Sequence, residues 1–264
     1  MCPARAVSAQ PVQLRVSARG APISLYLYER EFVSDIIRRD LYWELTQTRW
    51  LAQRARPTDT LLDLGANLGY YTVLMSRLAP DGCVHAFEPD PENFALLRRN
   101  CELNGCRNVV LHNVALADRD GAGALYRSGH NAGDHRISAQ TSPEPPVAIA
   151  IETADAVLAD LPRVDIVKCD IQGAEVTAFR GMQRLMARST PKPSMIVEFE
   201  PSSLQAMGTT PAQLLDLLDD WGYRYAFVGW ENVFSIDRAA LEAIADHWLK
   251  TRTPGFLDLI LSPA

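Results

Sequence analysis

The stretch Leu61-Leu62-Asp63-Leu64-Gly65-Ala66-Asn67-Leu68-Gly69-Tyr70-Tyr71 decides the fold. An apolar run enters a turn that carries two glycines, and a helical pattern begins directly after the turn. Gly65 and Gly69 lack a Cβ, so the backbone can approach a ligand closely at this point. Their spacing is G-x-x-x-G, whereas the cradle for a dinucleotide pyrophosphate has the spacing G-x-G-x-x-G. The stretch therefore predicts a strand, a ligand-binding turn and a helix, and it disfavours a pyrophosphate site.

The rest of the chain repeats this alternation of short apolar runs and amphipathic stretches, which is typical of βαβ units and a mainly parallel sheet. The predicted strands span residues 60–64, 83–88, 108–115, 165–170, 195–200, 223–228 and 255–261. The predicted helices span residues 70–78, 91–103, 174–186, 211–221 and 238–249. Asp90, Thr210 and Asp237 are suitable N-cap residues for three of these helices. The sequence thus predicts an α/β protein.

Two segments depart from the alternation. Residues 1–58 hold two short β-like runs, at 12–16 and 23–27, and an aromatic helical segment at 32–54. We expect them to form an N-terminal cap on a main domain of residues 59–264. Residues 118–150 are rich in Gly, Ser, His and Pro, and long excursions of this kind in compact domains are often functional.

Composition narrows the function classes. The chain has 264 residues, 47% of them hydrophobic, and a net charge of -6. Nucleic-acid binding requires a surplus of cations on one face, so this charge favours a small-molecule role. Five cysteines without a paired C-x-x-C spacing predict neither a disulfide framework nor a zinc site. The sequence has no signal-peptide h-region and no apolar run of roughly 20 residues, so we expect a cytoplasmic protein without a membrane partner.

Polar residues follow several of the predicted strands. Glu88 comes about 20 residues after the glycine turn, where an acid can accept both hydroxyl hydrogens of a ribose. Ligands of open α/β sheets bind outside the carboxyl ends of the strands, which would bring the turn, Glu88, Asn113 and Asp170 to one crevice. These residues predict a nucleoside cofactor. An NAD-dependent oxidoreductase and a catalytically silent nucleoside-binding module remain alternatives, the first disfavoured by the G-x-x-x-G spacing.

Four motifs occur in order: D-L-G-A-N-L-G from Asp63, F-E-P from Phe87, V-K-C-D-I-Q-G-A-E from Val167 and I-V-E-F-E-P from Ile196. As a set they resemble the FkbM-type family of S-adenosylmethionine-dependent methyltransferases, from about residue 32 to the C-terminus. The resemblance implies a Rossmann-like class I methyltransferase fold with seven strands, the last antiparallel. It also implies transfer of a methyl group from S-adenosyl-L-methionine to a hydroxyl of a sugar, glycoside or polyketide-type product.

The resemblance assigns cofactor-binding roles by matching position. The methionine part would lie against Asp63, Gly65, Asn67 and Gly69, the ribose against Glu88, and the adenine edge against Asn113 and Val114. Asp170 is expected at the same crevice. The family usually shows D-V-E-G-x-E where this chain has Asp170-Ile171-Gln172-Gly173-Ala174-Glu175. Gln172 therefore replaces an acid, so either that acid is dispensable or charge and substrate preference have changed here. Its expected position outside the crevice favours the first interpretation.

An alcohol acceptor needs a route for its proton, and a positioned base typically contributes about 10²- to 10⁴-fold to the rate. The candidate bases are acids at or near the ends of the fourth and fifth strands and histidines of the excursion: Asp170, Glu175, Glu198, Glu200, His130 and His135. We place His135 first because the pKa of histidine suits neutral pH and because the run from Asn131 to Arg136 resembles the family's polar loop facing the acceptor.

Three further expectations concern a metal, the cap and partners. Asp170 and the fifth-strand acids are ligands of the kind that Mg²⁺ prefers, but Glu198 and Glu200 lack an adjacent Asp-Asn pair, so we predict no metal. Glu44 of the cap is a candidate contact for the cofactor or the acceptor. The cap is also the candidate surface for a homo-oligomer, and the expected partner is a small hydroxylated acceptor.

Overall fold

The structure is a computed structural model that describes residues 5–18, 21–128, 135 and 145–263. His130 lies outside the described residues. Of the predicted polar loop, residues 131–136, the structure describes His135 alone. The strands are β1 Val12–Ala18, β2 Ala21–Leu25, β3 Thr60–Leu64, β4 Cys83–Phe87, β5 Val109–His112, β6 Ala115–Leu116, β7 Gly121–Leu125, β8 Val147–Glu152, β9 Ile166–Cys169, β10 Ser194–Phe199, β11 Tyr223–Val228, β12 Val233–Ile236 and β13 Leu257–Pro263. The helices are α1 Phe32–Asp40, α2 Leu45–Arg54, α3 Tyr70–Leu78, α4 Pro91–Leu103, α5 Ala154–Val157, α6 Glu175–Arg180, α7 Gln183–Arg188, α8 Pro201–Ala206, α9 Pro211–Asp220 and α10 Arg238–Thr251.

The chain divides into two compact units, one of residues 1–115 and 122–150 and one of residues 116–121 and 151–264. In the first unit, β3, β4 and β5 are parallel neighbours in that order. Leu61, Leu62 and Leu64 of β3 are completely buried, as expected for a strand whose two faces are both covered. The predicted strand, glycine turn and helix are therefore present in β3 and α3.

The N-terminal hairpin of β1 and β2 belongs to the first unit. Side chains at the C-terminal end of α4 hydrogen-bond to the backbone of β2 and of the residues just after it. The backbone N–H of Ser24 donates to Asn104 Oδ1 at 3.1 Å, and Asn104 Nδ2 donates back to the Ser24 oxygen at 2.7 Å. The N–H of Tyr26 donates to Asn100 Oδ1 at 2.7 Å. Asn100 of α4 and the C-cap residue Asn104 thus bind the backbone of β2 and of Tyr26, just beyond it. The division of the chain at residue 58 stays a prediction.

In the second unit the strand order is β12-β11-β13-β10-β9. β9 and β10 are parallel, and β13 is antiparallel to both β10 and β11. The expectation of an antiparallel last strand is therefore correct. The α/β architecture of the Rossmann-like type is confirmed. The short strand β12 pairs with β11 and was not predicted from the sequence.

Two predicted helices are each interrupted. The segment 32–54 forms α1 and α2, separated by Leu41 and Glu44, which both have left-handed backbones with φ of 64° and 43°. The segment 174–186 breaks between α6 and α7. At Gly181 an added Cβ would lie 1.9 Å from the backbone oxygen of Ala117. Close packing of the chain against this glycine, which sequence periodicity does not report, accompanies the break.

The long predicted strand at 108–115 is also shorter than expected, because β5 ends at His112 and Asn113 leaves the sheet. The excursion at 118–150 is not entirely irregular, since it contains β7 and most of β8, which are neighbours in a small sheet. Across the described part of the chain, no helix combines the length and apolar character that crossing a bilayer requires.

Candidate functional site

The glycine turn follows β3 and is fixed to the end of β4. The backbone N–H groups of Gly65 and Ala66 both donate to the oxygen of Phe87, at 3.0 and 2.9 Å. Gly69 has a φ of 96°, and a Cβ added there would lie 2.7 Å from Leu97 Cδ1. The turn therefore requires glycine at this position both for its left-handed backbone and for the contact with α4.

Asn67 provides the test of whether the turn suits the methionine end of the cofactor. Its backbone is left-handed, with a φ of 49°, and its Oδ1 is buried without a hydrogen-bond partner among the described residues. A buried acceptor of this kind normally has a partner. The ammonium group of a bound amino acid would supply one, so the residues fit the group. Asp63 lies completely buried beneath the turn, where its Oδ2 accepts from the Thr72 hydroxyl at 2.5 Å.

Glu88 follows β4 and is almost completely buried, with 5% of its surface exposed. Its Oε2 accepts the backbone N–H of Asn67 at 2.8 Å, and its Oε1 accepts that of Asp90 at 2.9 Å. Burial raises the pKa of Glu88 to about 8, although these two donors oppose the shift. Each oxygen keeps a second lone pair, so the carboxylate can still accept two ribose hydroxyls.

Asn113 lies immediately beyond β5 and is tied to the same segment. Its Nδ2 donates to the backbone oxygens of Glu88 and Pro89, at 2.8 and 3.2 Å. Asn113 is exposed and Val114 is half-buried. The structure thus places Asn113 beside Glu88, and the contact of Asn113 and Val114 with adenine stays a prediction.

Asp90 and Arg127 form a buried ion pair that the sequence did not reveal. Arg127 Nε lies 2.5 Å from Asp90 Oδ2, and its Nη1 lies 2.8 Å from Glu92 Oε1. The Asp90 side chain is completely buried and also accepts the backbone N–H of Glu92 and Asn93 as the N-cap of α4. Burial alone would raise the pKa of Asp90, but the Arg127 guanidinium and the capping N–H groups hold it below its usual value. An isolated arginine in the excursion carries no pattern that would have identified this pair.

His135 lies beside the same ion pair. Its Nδ1 accepts the backbone N–H of Ser128 at 3.2 Å, and its Nε2 lies 4.0 Å from Asp90 Oδ2 and 3.4 Å from Arg5 Nη1. Only 6% of the side chain is exposed, and this burial lowers its pKa to about 4. The imidazole is therefore neutral at pH 7, and polar groups already surround both of its nitrogens.

Two tyrosines connect α2 to the start of α3. The Tyr71 hydroxyl donates to Glu44 Oε2 at 2.7 Å, and the Tyr70 hydroxyl lies 3.1 Å from Thr48 Oγ1. Burial raises the pKa of Tyr70 to about 12, so this hydroxyl keeps its proton. Glu44 is thus held by a residue that lies two positions after the glycine turn. Its contact with the cofactor or the acceptor stays a prediction.

The second unit contains a cluster of polar side chains at the ends of β9 and β10. Gln172 Nε2 lies 2.8 Å from Asp170 Oδ1 and 2.9 Å from Glu198 Oε2, so one amide donates to two acids. Lys168 Nζ donates to the other oxygen of Asp170 at 3.0 Å. Burial is the main reason why the pKa of Glu198 lies well above its usual value. The negative charges of nearby carboxylates, Asp170 first, raise it further.

Glu175 stands beneath this cluster with only 1% of its surface exposed. Its Oε1 accepts the backbone N–H groups of Ile171 and Gly173, both at 3.2 Å. Burial raises the pKa of Glu175 to about 7. The side chain therefore holds the turn after β9 in place. Glu200 accepts hydrogen bonds from the hydroxyls of Ser202 and Ser203.

The predicted site residues thus form two groups. The glycine turn, Glu88, Asn113 and His135 belong to the first compact unit, and Asp170, Glu175 and Glu198 belong to the second. Their convergence on one crevice stays a prediction. Within the described ranges, no three His, Cys, Asp or Glu side chains are arranged to hold a metal ion.

A Rossmann-like sheet whose first turn presents Gly65, Asn67 and Gly69, followed by a buried acid after the next strand, is suited to a nucleoside cofactor. Residues 63–225 match the family described as Methyltransferase FkbM domain. The chain belongs to this family, and its cofactor is S-adenosyl-L-methionine. The alternative of an NAD-dependent oxidoreductase is therefore wrong.

Curated relatives share modest identity with the chain. Methyltransferase 1 of Beauveria bassiana is 28% identical over 148 residues, which cover 48% of this chain and 59% of that protein. Hexuronic acid methyltransferase AglP of Haloferax volcanii is 29% identical over 147 residues, covering 54% and 58%. The 31-O-demethyl-FK506 methyltransferase FkbM of Streptomyces tacrolimicus is 47% identical over 60 residues, covering 23% and 20%. The chain therefore spans less than two thirds of each of these relatives.

Proposed function

We propose that the protein is an O-methyltransferase that methylates a hydroxyl of a small or medium metabolite, namely a sugar, a glycoside or a polyketide-type product, with Asp170 as the general base. Two relatives support the acceptor class, since one is named for a hexuronic acid and the other for the 31-oxygen of demethyl-FK506. The observation that carries the proposal is a half-buried carboxylate at the end of β9 whose side chain is 27% exposed and can meet an acceptor.

The first unit holds the cofactor in this proposal. Asn67 Oδ1 accepts from the ammonium of the methionine part, the glycine turn provides the space beside it, and Glu88 accepts from the ribose hydroxyls. The cofactor would supply an activated methyl group to the acceptor oxygen and would leave as S-adenosylhomocysteine. Holding the acceptor in line is the main contribution left to the protein, worth about 7 to 11 kcal/mol in favourable cases.

Asp170 is the best-placed base among the candidates. Glu175 is 1% exposed and holds backbone N–H groups, and the raised pKa of Glu198 favours a protonated carboxyl. The His135 side chain is only 6% exposed and polar groups lie at both of its nitrogens, so an acceptor hydroxyl cannot easily reach it. An aspartate reachable from solvent can accept the hydroxyl proton and release it to water.

The proposal is tested with radiolabelled S-adenosylmethionine and three alcohols: methyl β-D-glucuronoside, methyl β-D-glucoside and cyclohexanol. We expect methyl transfer to at least one alcohol, and calorimetry should show that S-adenosylhomocysteine binds. Asp170→Asn should lower kcat by about 10²- to 10⁴-fold while leaving the Kd of S-adenosylhomocysteine unchanged. Asp160→Asn, an exposed aspartate of the same unit, is the matched control.

Three results would contradict the proposal in different parts. Absence of product with all three alcohols would remove the O-methyltransferase assignment. Normal turnover of Asp170→Asn would remove Asp170 as the base. A large loss of kcat in His135→Ala together with normal turnover of Asp170→Asn would return the base to His135.

A further inference from the structure

Gln172 occupies an unusual position for a glutamine. Its backbone has a φ of 55°, in the left-handed region that non-glycine residues rarely adopt. Strained backbone at a candidate site persists only where the surrounding structure determines it. Here the determinants are visible on both sides of the residue, because Glu175 Oε1 accepts the N–H groups of Ile171 and Gly173.

Gly173 fixes the other side of this turn. A Cβ added to Gly173, whose φ is 96°, would lie 2.3 Å from the backbone oxygen of Ser203. The turn therefore packs directly against α8. With its backbone held by Glu175 and by this contact, Gln172 can present its amide in only a narrow range of positions, which is what a preorganised site requires.

The side chain of Gln172 uses both amide hydrogens on acids. One is directed to Asp170 Oδ1 at 2.8 Å and the other to Glu198 Oε2 at 2.9 Å. Lys168, whose side chain is 7% exposed, donates to Asp170 Oδ2 at 3.0 Å. Both oxygens of Asp170 thus have a fixed donor, and each keeps a lone pair for a further hydrogen.

We propose that Gln172 is a positioning residue that aims the Asp170 carboxylate at the acceptor hydroxyl and separates it from Glu198. The inference rests on the proposed function, in which the hydroxyl proton passes to Asp170 and then to water while the acceptor oxygen gains the methyl group. A neutral amide suits this place because a third carboxylate here would lie about 3 Å from two acids, and neighbouring carboxylates cannot all ionise. The proposal gives Gln172 a role of its own, which the expectation of a dispensable acid did not include.

Charged and titratable groups face the cluster from each element packed around it. They are Lys168 and Asp170 from the end of β9, Glu175 from α6, Glu198 from β10, Glu200 from the N-cap of α8, and Asp258 from β13. Gln172 is the neutral member among these groups. Replacing its donor by an acceptor should therefore change how the reaction depends on pH, whereas a purely structural residue would lower the rate equally at every pH.

The test compares Gln172→Met with Gln172→Glu in the methyl-transfer assay from pH 6 to 9, using whichever of the three alcohols the wild type methylates. Gln172→Met has a similar length, a similar backbone preference and no donor, so we expect kcat to fall at least about tenfold at every pH. Gln172→Glu can donate only when protonated, so its kcat relative to wild type should decrease as pH rises. S-adenosylhomocysteine should bind both variants within about twofold of wild type. Gln205→Met, an exposed glutamine of α8, is the matched control.

The outcomes separate the two proposals. A wild type that methylates none of the alcohols removes the proposed function and this inference with it. An active wild type with Gln172→Met within twofold of its kcat overturns the positioning role alone. Equal, pH-independent losses in Gln172→Met and Gln172→Glu would also overturn it, because they would indicate a structural residue.

Discussion

Removal of the Glu88 carboxylate is the most informative perturbation of the cofactor site. Glu88→Ala deletes the acceptor for two backbone N–H groups, at 2.8 and 2.9 Å, and both proposed hydrogen bonds to the ribose. The ribose bonds are charge-assisted, and their loss should cost about 2 to 4 kcal/mol of binding free energy. Since about 1.4 kcal/mol corresponds to tenfold, the Kd of S-adenosylhomocysteine should rise by about 30- to 700-fold.

The same carboxyl gives the prediction a pH dependence with a definite sign. Burial raises the pKa of Glu88 to about 8, so the free protein holds a proton there at pH 7. Ribose hydroxyls donate to the ionised form, which means that binding at pH 7 requires loss of this proton. We therefore expect the affinity of wild type for S-adenosylhomocysteine to increase from pH 6 to about 8 and then to level off. Glu88→Ala should lack this increase.

Isothermal titration calorimetry at several pH values measures both effects. Glu88→Asp retains the charge but withdraws it by one methylene, so its affinity should lie between those of wild type and Glu88→Ala. Glu102→Gln, an exposed acid on α4, should bind as wild type does. Circular dichroism must first show that each variant is folded, because two buried N–H groups without acceptors cost about 1 to 3 kcal/mol each. Folded Glu88→Ala that binds within threefold of wild type would refute the ribose assignment.

Three further predictions concern stability and are measured by urea denaturation. Arg127→Gln should lower the free energy of unfolding by about 3 kcal/mol or more, because it leaves the completely buried Asp90 without its cation. The control Arg238→Gln breaks exposed ion pairs and should lower it by about 1 kcal/mol or less. Gly173→Ala should lower it by more than about 2 kcal/mol through the close contact with α8 and its left-handed backbone. Thr210→Ala should lower it by about 1 kcal/mol, since it removes the capping box of α9. Equal effects of the two arginine substitutions, or unchanged stability of either of the other variants, would contradict the corresponding argument.

Local signals predicted the elements that local chemistry determines. The G-x-x-x-G turn places β3 and α3 correctly, and Asp90, Thr210 and Asp237 each cap the helix that the sequence assigned to them. In each case the residue acts on backbone groups within three positions of itself. The signal and its structural effect are therefore contained in the same short segment.

The features that sequence reasoning missed all depend on contacts between distant segments. The predicted helix at 174–186 breaks at Gly181, which packs against Ala117. The pair of Asp90 and Arg127 joins residues 37 positions apart, and the amide of Gln172 reaches Glu198 across 26 positions. Periodicity and motif spacing carry no information about such contacts.

Glu88 and Asp90 show how position in the fold, and not residue type, sets the chemistry of an acid. Both follow β4, both are buried, and both accept backbone N–H groups. Yet the pKa of Glu88 is raised while that of Asp90 is lowered, because Asp90 has the Arg127 guanidinium beside it and Glu88 has only neutral donors. The ionised carboxylate of Asp90 therefore stabilises the protein without any ligand. Burial opposes ionisation of Glu88 until a ligand supplies hydroxyl donors. A site for a neutral diol is best formed by an acid without a permanent cation, since a cation would compete with the ribose for the same lone pairs.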